Sequence, residues 1–170
     1  MREMDIATQD NANQKGKDMT LTKSTLTGHC RCGQVQFEIS APPLLTAACH
    51  CAGCQSMSSS AFSLTAMIPG DAFRVTQGDP VIGGLHGPQQ HHYFCPNCMT
   101  WMFTRIDGFD AFVNVRPTLL ENNQWSTPFI ETMTNNKLPW VQTPAHHRYD
   151  EFPSIDDLQH LMVEFAAAHD

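Results

Sequence analysis

A chain of 170 residues, 41% hydrophobic and 16% charged, suits one domain that can bury a core without needing metal or disulfide staples for its size. Ten basic against seventeen acidic residues leave a net charge of -7, which argues against the basic stripe of a nucleic-acid binder. No apolar run approaches the roughly 18 to 20 residues of a membrane span, and no secretory signal opens the chain, so a cytoplasmic protein is expected.

In chain order, residues 1–24 are polar and of mixed charge, and are expected to be a disordered tail with Met19 as an alternative initiator. One domain is expected over residues 25–170. Its ordered part opens at Gly28-His29-Cys30-Arg31-Cys32-Gly33. Val35, Phe37 and Ile39 then alternate with polar residues, as in a half-buried strand, until Pro42-Pro43. A second cysteine cluster precedes a serine-rich stretch, read as a polar loop whose hydroxyls can face a ligand. Phe62, Leu64, Ala66 and Ile68 alternate again, and Phe73 with Val75 predicts another strand. Gly83-Gly84 and Gly87-Pro88 mark a loop. Residues 91–95 read as extended and enter a turn at Cys95-Pro96-Asn97-Cys98. Trp101 with Phe103, then residues 112–116, give two more strands, and residues 118–152 read as long ordered loops. Ser154 caps a C-terminal helix over about 154–168, striped by Ile155, Leu158, Leu161, Met162 and Phe165. The fold class is mainly β with a C-terminal helix. The tryptophans and phenylalanines are assigned to the core.

Seven cysteines occur as Cys30-x-Cys32, Cys49-x-Cys51-x-x-Cys54 and Cys95-x-x-Cys98. The odd number rules out complete internal pairing, and short spacings in a reducing compartment point to metal rather than a disulfide framework. On an extended segment, residues two apart point the same way, so C-x-C offers two sulfurs to one ion. Two pairs complete a tetrahedral zinc site, and a triplet supplies three ligands with a fourth position open to chemistry. A redox dithiol is the weaker reading, because Cys95 follows an extended stretch rather than opening a helix. Iron suits four thiolates too, but no further cysteine hints at a cluster. His50 lies between two cysteines with its ring directed away from them, and His91-His92 and His146-His147 read as surface or polar partners.

The three cysteine motifs, followed by Trp140 and Phe152-Pro153, resemble the glutathione-dependent formaldehyde-activating family, which includes centromere protein V. The likeness covers residues 27–153. It implies a β-tent, Mss4-like fold of short antiparallel sheets. It also implies that Cys30, Cys32, Cys95 and Cys98 hold a structural zinc, and that Cys49, Cys51 and Cys54 hold the zinc associated with activity. The implied reaction joins glutathione to formaldehyde, formally the reverse of a carbon-sulfur lyase, so a small thiol and an aldehyde are the expected partners. Three positions depart from the family pattern. Met99 stands where glycine is usual, Gln55-Ser56 where basic residues are common, and Ser58-Ser59 where Thr-Gly or Ser-Gly is common. The lost positive charge weakens attraction for an anionic peptide. The rival readings are a zinc-stabilised protein-binding module, a carrier of thiol adducts and a thiol redox protein.

Overall fold

The computed structural model describes residues 25–84 and 87–169; the expected tail over residues 1–24 lies outside them. The described residues form two sheets. The strands are β1 (Leu26–His29), β2 (Gln36–Ile39), β3 (Leu45–Cys49), β4 (Ser63–Pro69), β5 (Phe73–Gln77), β6 (Val81–Gly83), β7 (Gln90–Phe94), β8 (Trp101–Ile106), β9 (Phe112–Val115), β10 (Ile130–Thr132) and β11 (His147–Arg148). The helices are α1 (Ala52–Ser58) and α2 (Ile155–Ala167). A small sheet runs β1-β2-β5, and an eight-stranded sheet runs β11-β10-β3-β4-β9-β8-β7-β6. This is the mainly β fold with a C-terminal helix that the motifs imply. Most pairings are antiparallel, but β10 lies parallel to both β3 and β11.

The alternating patterns act as expected. Val35, Phe37 and Ile39 are buried, and with Ala66, Ile68, Val113, Val115, Met102 and Phe103 they form the main core between the sheets. Cys30 and Cys95 belong to that core, so one cysteine group is anchored in it by two of its members. A second core joins Leu45, Phe129 and Ile130 to Leu161 and Phe165 of α2. Ser154 caps α2, its hydroxyl accepting from the Asp157 amide at 3.1 Å.

Three expectations are corrected. The serine-rich loop begins as a helix, because the Cys51 side chain accepts from the Cys54 amide and starts α1. Trp140 (72% exposed), Phe152 and Phe109 lie at the surface rather than in the core, whereas Trp101 and Trp125 are buried. Ile155, read as part of the helix stripe, is also exposed. It lies one turn ahead of Leu158, and the contacts that bury α2 fall on Leu161 and Phe165 instead.

Candidate metal centres

The structure gathers the seven cysteines into two groups, Cys30 with Cys32, Cys95 and Cys98, and Cys49 with Cys51 and Cys54. Within each group the sulfurs lie within 4.8 Å of one another. Sulfurs bound about 2.3 Å from a tetrahedral zinc would sit roughly 3.8 Å apart. The Cys32 and Cys95 sulfurs are 3.8 Å apart and those of Cys30 and Cys32 are 3.5 Å apart. The donor set and spacing fit a thiophilic ion in the first group.

Two turns build this group. The first leaves β1 at Cys30, whose carbonyl accepts from the Gly33 amide at 2.9 Å and whose sulfur accepts from the Val35 amide at 3.3 Å. The second follows β7, where the Met99 amide donates to the Cys95 carbonyl at 3.0 Å. The surroundings stabilise thiolate. A hydrogen bond from Asn97 lowers Cys32, and Cys98 is held at about 5 by Thr100 although burial pushes it up. Burial pushes Cys95 up to about 11.

The second group grows from the end of β3. Cys49 closes the strand, Cys51 caps α1 and Cys54 lies in its first turn. The protons are shared unevenly. Hydrogen bonding from Cys54 holds Cys49 at about 5, and the same contact pushes Cys54 well above the usual thiol range. Thr132 further lowers Cys49, and Ser63 acts on Cys54 in the same direction. Both hydroxyls are buried and have no hydrogen-bond partner. Register explains their positions, since Cys49 pairs with Thr132 on one side and with Ser63 on the other. His50 turns away and meets Glu131 at 3.1 Å.

A cavity of about 120 Å³ adjoins this second group. One row across the sheet supplies His92, Thr104 and Asn114, which stand opposite one another on β7, β8 and β9. Arg116 and Trp101 complete the wall beside Cys49 and Cys54. The Arg116 guanidinium lies over the Trp101 ring, 4.1 Å from its centre. Burial pulls its pKa down to about 10, while the charges of Cys54 and Cys49 hold it up, so it stays cationic at neutral pH. A groove of about 540 Å³ shares Arg116, Trp101 and Ser63 and is lined further by Met57, Phe62 and Leu119.

Sequence reasoning did not single out His92, Thr104, Asn114, Arg116 or Thr132 as cavity residues. The available signal was the polar face of the alternation in β9, where Asn114 interrupts an apolar run. The alternation from Phe62 to Ile68 puts Ser63 on a strand, but nothing in it points to the neighbouring cysteines.

The family model for glutathione-dependent formaldehyde-activating enzymes matches residues 25–136, a span that contains all seven cysteines. A Rhodobacter sphaeroides protein of known crystal structure is similar at 20% identity and a TM-score of 0.48, over 56% of this chain and 88% of that one. No helix among the described residues is long and apolar enough to cross a membrane. The family match, over a span that includes both cysteine groups, shows that this chain belongs to the glutathione-dependent formaldehyde-activating enzyme family.

Proposed function

We propose that the chain is a cytoplasmic, zinc-dependent enzyme of the carbon-sulfur lyase type, acting on a small thiol adduct with glutathione and formaldehyde as the leading reactants. Residues 25–170 form its single zinc domain. One zinc is structural, held by Cys30, Cys32, Cys95 and Cys98. The second is held by Cys49, Cys51 and Cys54. The observation that carries this reading is that the three-sulfur group opens onto a cavity of about 120 Å³. Four thiolates fill a tetrahedral site, and three leave room for a reactant.

Zinc bound by three thiolates supplies a Lewis-acid position that lowers the pKa of an incoming thiol. The chain's own residues shape the rest. The buried hydroxyls of Ser63 and Thr132 favour the thiolate forms of Cys54 and Cys49. Trp101 and Ile106 supply apolar wall to the cavity beside the reacting centre. In the addition, the substrate sulfur bonds to the aldehyde carbon, the carbonyl π bond opens, and the thiol proton ends on the new hydroxyl oxygen. No oxidation or reduction is involved.

The test is the Cys54→Ser variant, assayed for zinc per chain and for formation of the hydroxymethyl thioether. The expected result is a fall from about two zincs to about one, with turnover lost and the fold kept. Full zinc and full turnover in that variant would overturn the reading.

A further inference from the structure

We infer that Arg116 is the receptor for a carboxylate on the substrate, so that the thiol compound accepted at the cysteine triplet is an acid. This deepens the proposed function and rests on it for the position of the reacting sulfur.

Arg116 is 8% exposed, yet its Nε and Nη1 atoms have no hydrogen-bond partner. It takes part in no ion pair among the described residues. Every other strongly buried charge is satisfied: Glu131 alone receives His50, Lys137 and Arg148. An unpaired buried cation is costly, and proteins seldom keep one without an anion to meet it. The Trp101 ring lies against the guanidinium, 4.1 Å from ring centre to Cζ. The backbone is fixed, since the Arg116 amide donates to the Met102 carbonyl at 2.9 Å. A rigid, desolvated fork of N–H donors is suited to a planar carboxylate.

The position is informative. Arg116 lines both the small cavity at Cys49 and Cys54 and the larger groove beside it. An acid seated on Arg116 from either space keeps its other end near the triplet. The charge balance favours a monoanion: one guanidinium neutralises one carboxylate, whereas a dianionic phosphate would leave excess negative charge beside three thiolates. The same residue answers the departure at Gln55-Ser56. The positive charge missing after the third cysteine of the triplet is present instead at the end of β9.

The competing role is a counter-charge for the thiolates, because the guanidinium feels Cys54 and Cys49. Its Nε and Nη1 make no hydrogen bond to either sulfur, so that role alone leaves both donors unsatisfied.

The experiment is calorimetric titration of the zinc-loaded full chain with 3-mercaptopropionate, its neutral amide 3-mercaptopropionamide, and thiol-free propionate. The acid is expected to bind the wild type about tenfold or more tightly than the amide, the effect of a charge-assisted hydrogen bond. In Arg116→Gln the two should bind alike, and Arg116→Lys should retain part of the preference. Propionate should bind the wild type and not Arg116→Gln. If 3-mercaptopropionate binds no more tightly than propionate and the amide does not bind, the thiol reading fails and the carboxylate receptor stands. If acid and amide bind the wild type equally, the receptor is overturned while the thiol reading survives. Loss of zinc in Arg116→Gln with an unchanged acid-to-amide ratio would assign the cation to the cysteines alone and also overturn it. Should Arg116→Gln fail to fold, the ratios in the wild type and Arg116→Lys decide the matter.

Discussion

The His50 ring and the Glu131 carboxylate meet at 3.1 Å, and neither side chain reaches solvent. Lys137 donates to the same carboxylate at 2.5 Å and Arg148 at 2.9 Å. Glu131 stands opposite Ala48 on β3, so this network braces the strand just before the triplet. Because His50 sits between Cys49 and Cys51, its anchor also sets where those two sulfurs emerge. Glu131→Gln preserves shape but removes the charge that Lys137 and Arg148 answer. A loss of about 3 to 5 kcal/mol is expected, as for other buried ion pairs deprived of one partner. Urea unfolding at neutral pH measures it, and a loss below about 1 kcal/mol would place the bracing elsewhere.

The same carboxylate predicts a pH dependence. Burial pushes the Glu131 pKa up, but hydrogen bonds from Lys137, Thr143, Arg148 and His50 outweigh this and hold it at about 2. A folded-state pKa below the unfolded value means that the folded state favours the ionised form. That stabilisation is complete above the ordinary carboxylate range and disappears as pH falls from about 4.5 toward 2. The gap in melting temperature between wild type and Glu131→Gln should therefore be largest near neutrality and narrow through that window. A gap that stays constant down to pH 2.5 would rule out Glu131 as its source.

Met99 holds a left-handed backbone, with φ at 54°. A side chain in that region costs about 1 to 2 kcal/mol, and glycine returns roughly 0.5 to 1 kcal/mol of that as lost chain entropy. Met99 is 63% exposed, so its removal sacrifices little packing. Met99→Gly should leave stability unchanged or raise it by up to about 1 kcal/mol, and Met99→Val should lower it. Thermal melting with zinc present orders the three proteins. A valine variant more stable than the glycine one would contradict the backbone argument.

These cases show what was legible in the chain and why. Short spacings constrain sulfur positions locally and give a four-plus-three division, whereas the joining of Cys30 and Cys32 to Cys95 and Cys98 is implied only by the family resemblance. The strand with Val35, Phe37 and Ile39 was readable because one face is buried. Residues 45–49 were not marked as a strand, since β3 is covered on both faces and carries no alternation. The cavity was hidden for another reason. His92, Thr104 and Asn114 are far apart along the chain and become neighbours only through pairing of β7, β8 and β9. Arg116 likewise looks like an ordinary residue ending a strand until the fold buries it.

Gly28 marks a close approach. A Cβ placed there would lie 2.4 Å from Cζ of Phe37, inside the main core. The Phe37 ring also packs on Phe73, at 5.5 Å between centres, so it cannot swing aside freely. Gly28→Ala should cost about 1 to 3 kcal/mol through overpacking. The loss should shrink in a Gly28→Ala, Phe37→Leu double variant relative to Phe37→Leu alone. Equal costs in both backgrounds would mean that the ring is not the obstacle.

The last prediction separates the two cysteine groups by what their loss does to the fold. Cys30 and Cys95 are completely buried and belong to the main core, where two turns from distant parts of the chain converge. A metal held there would tie residues 30–32 to residues 95–98. Structural zinc contributes on the order of 10 kcal/mol, comparable with the entire net stability of a domain. Cys95→Ser should therefore abolish cooperative folding or lower the melting temperature steeply. Cys49, by contrast, shares its site with Cys51 and Cys54 on one short segment, and the surrounding strand is braced independently by Glu131. Cys49→Ser should lose about one zinc per chain and keep a cooperative transition within a few degrees of the wild type. Paired measurements of zinc content and melting temperature decide the point. A Cys95→Ser protein that melts with the wild type would refute the structural assignment. A Cys49→Ser protein that fails to fold would make the second site structural as well.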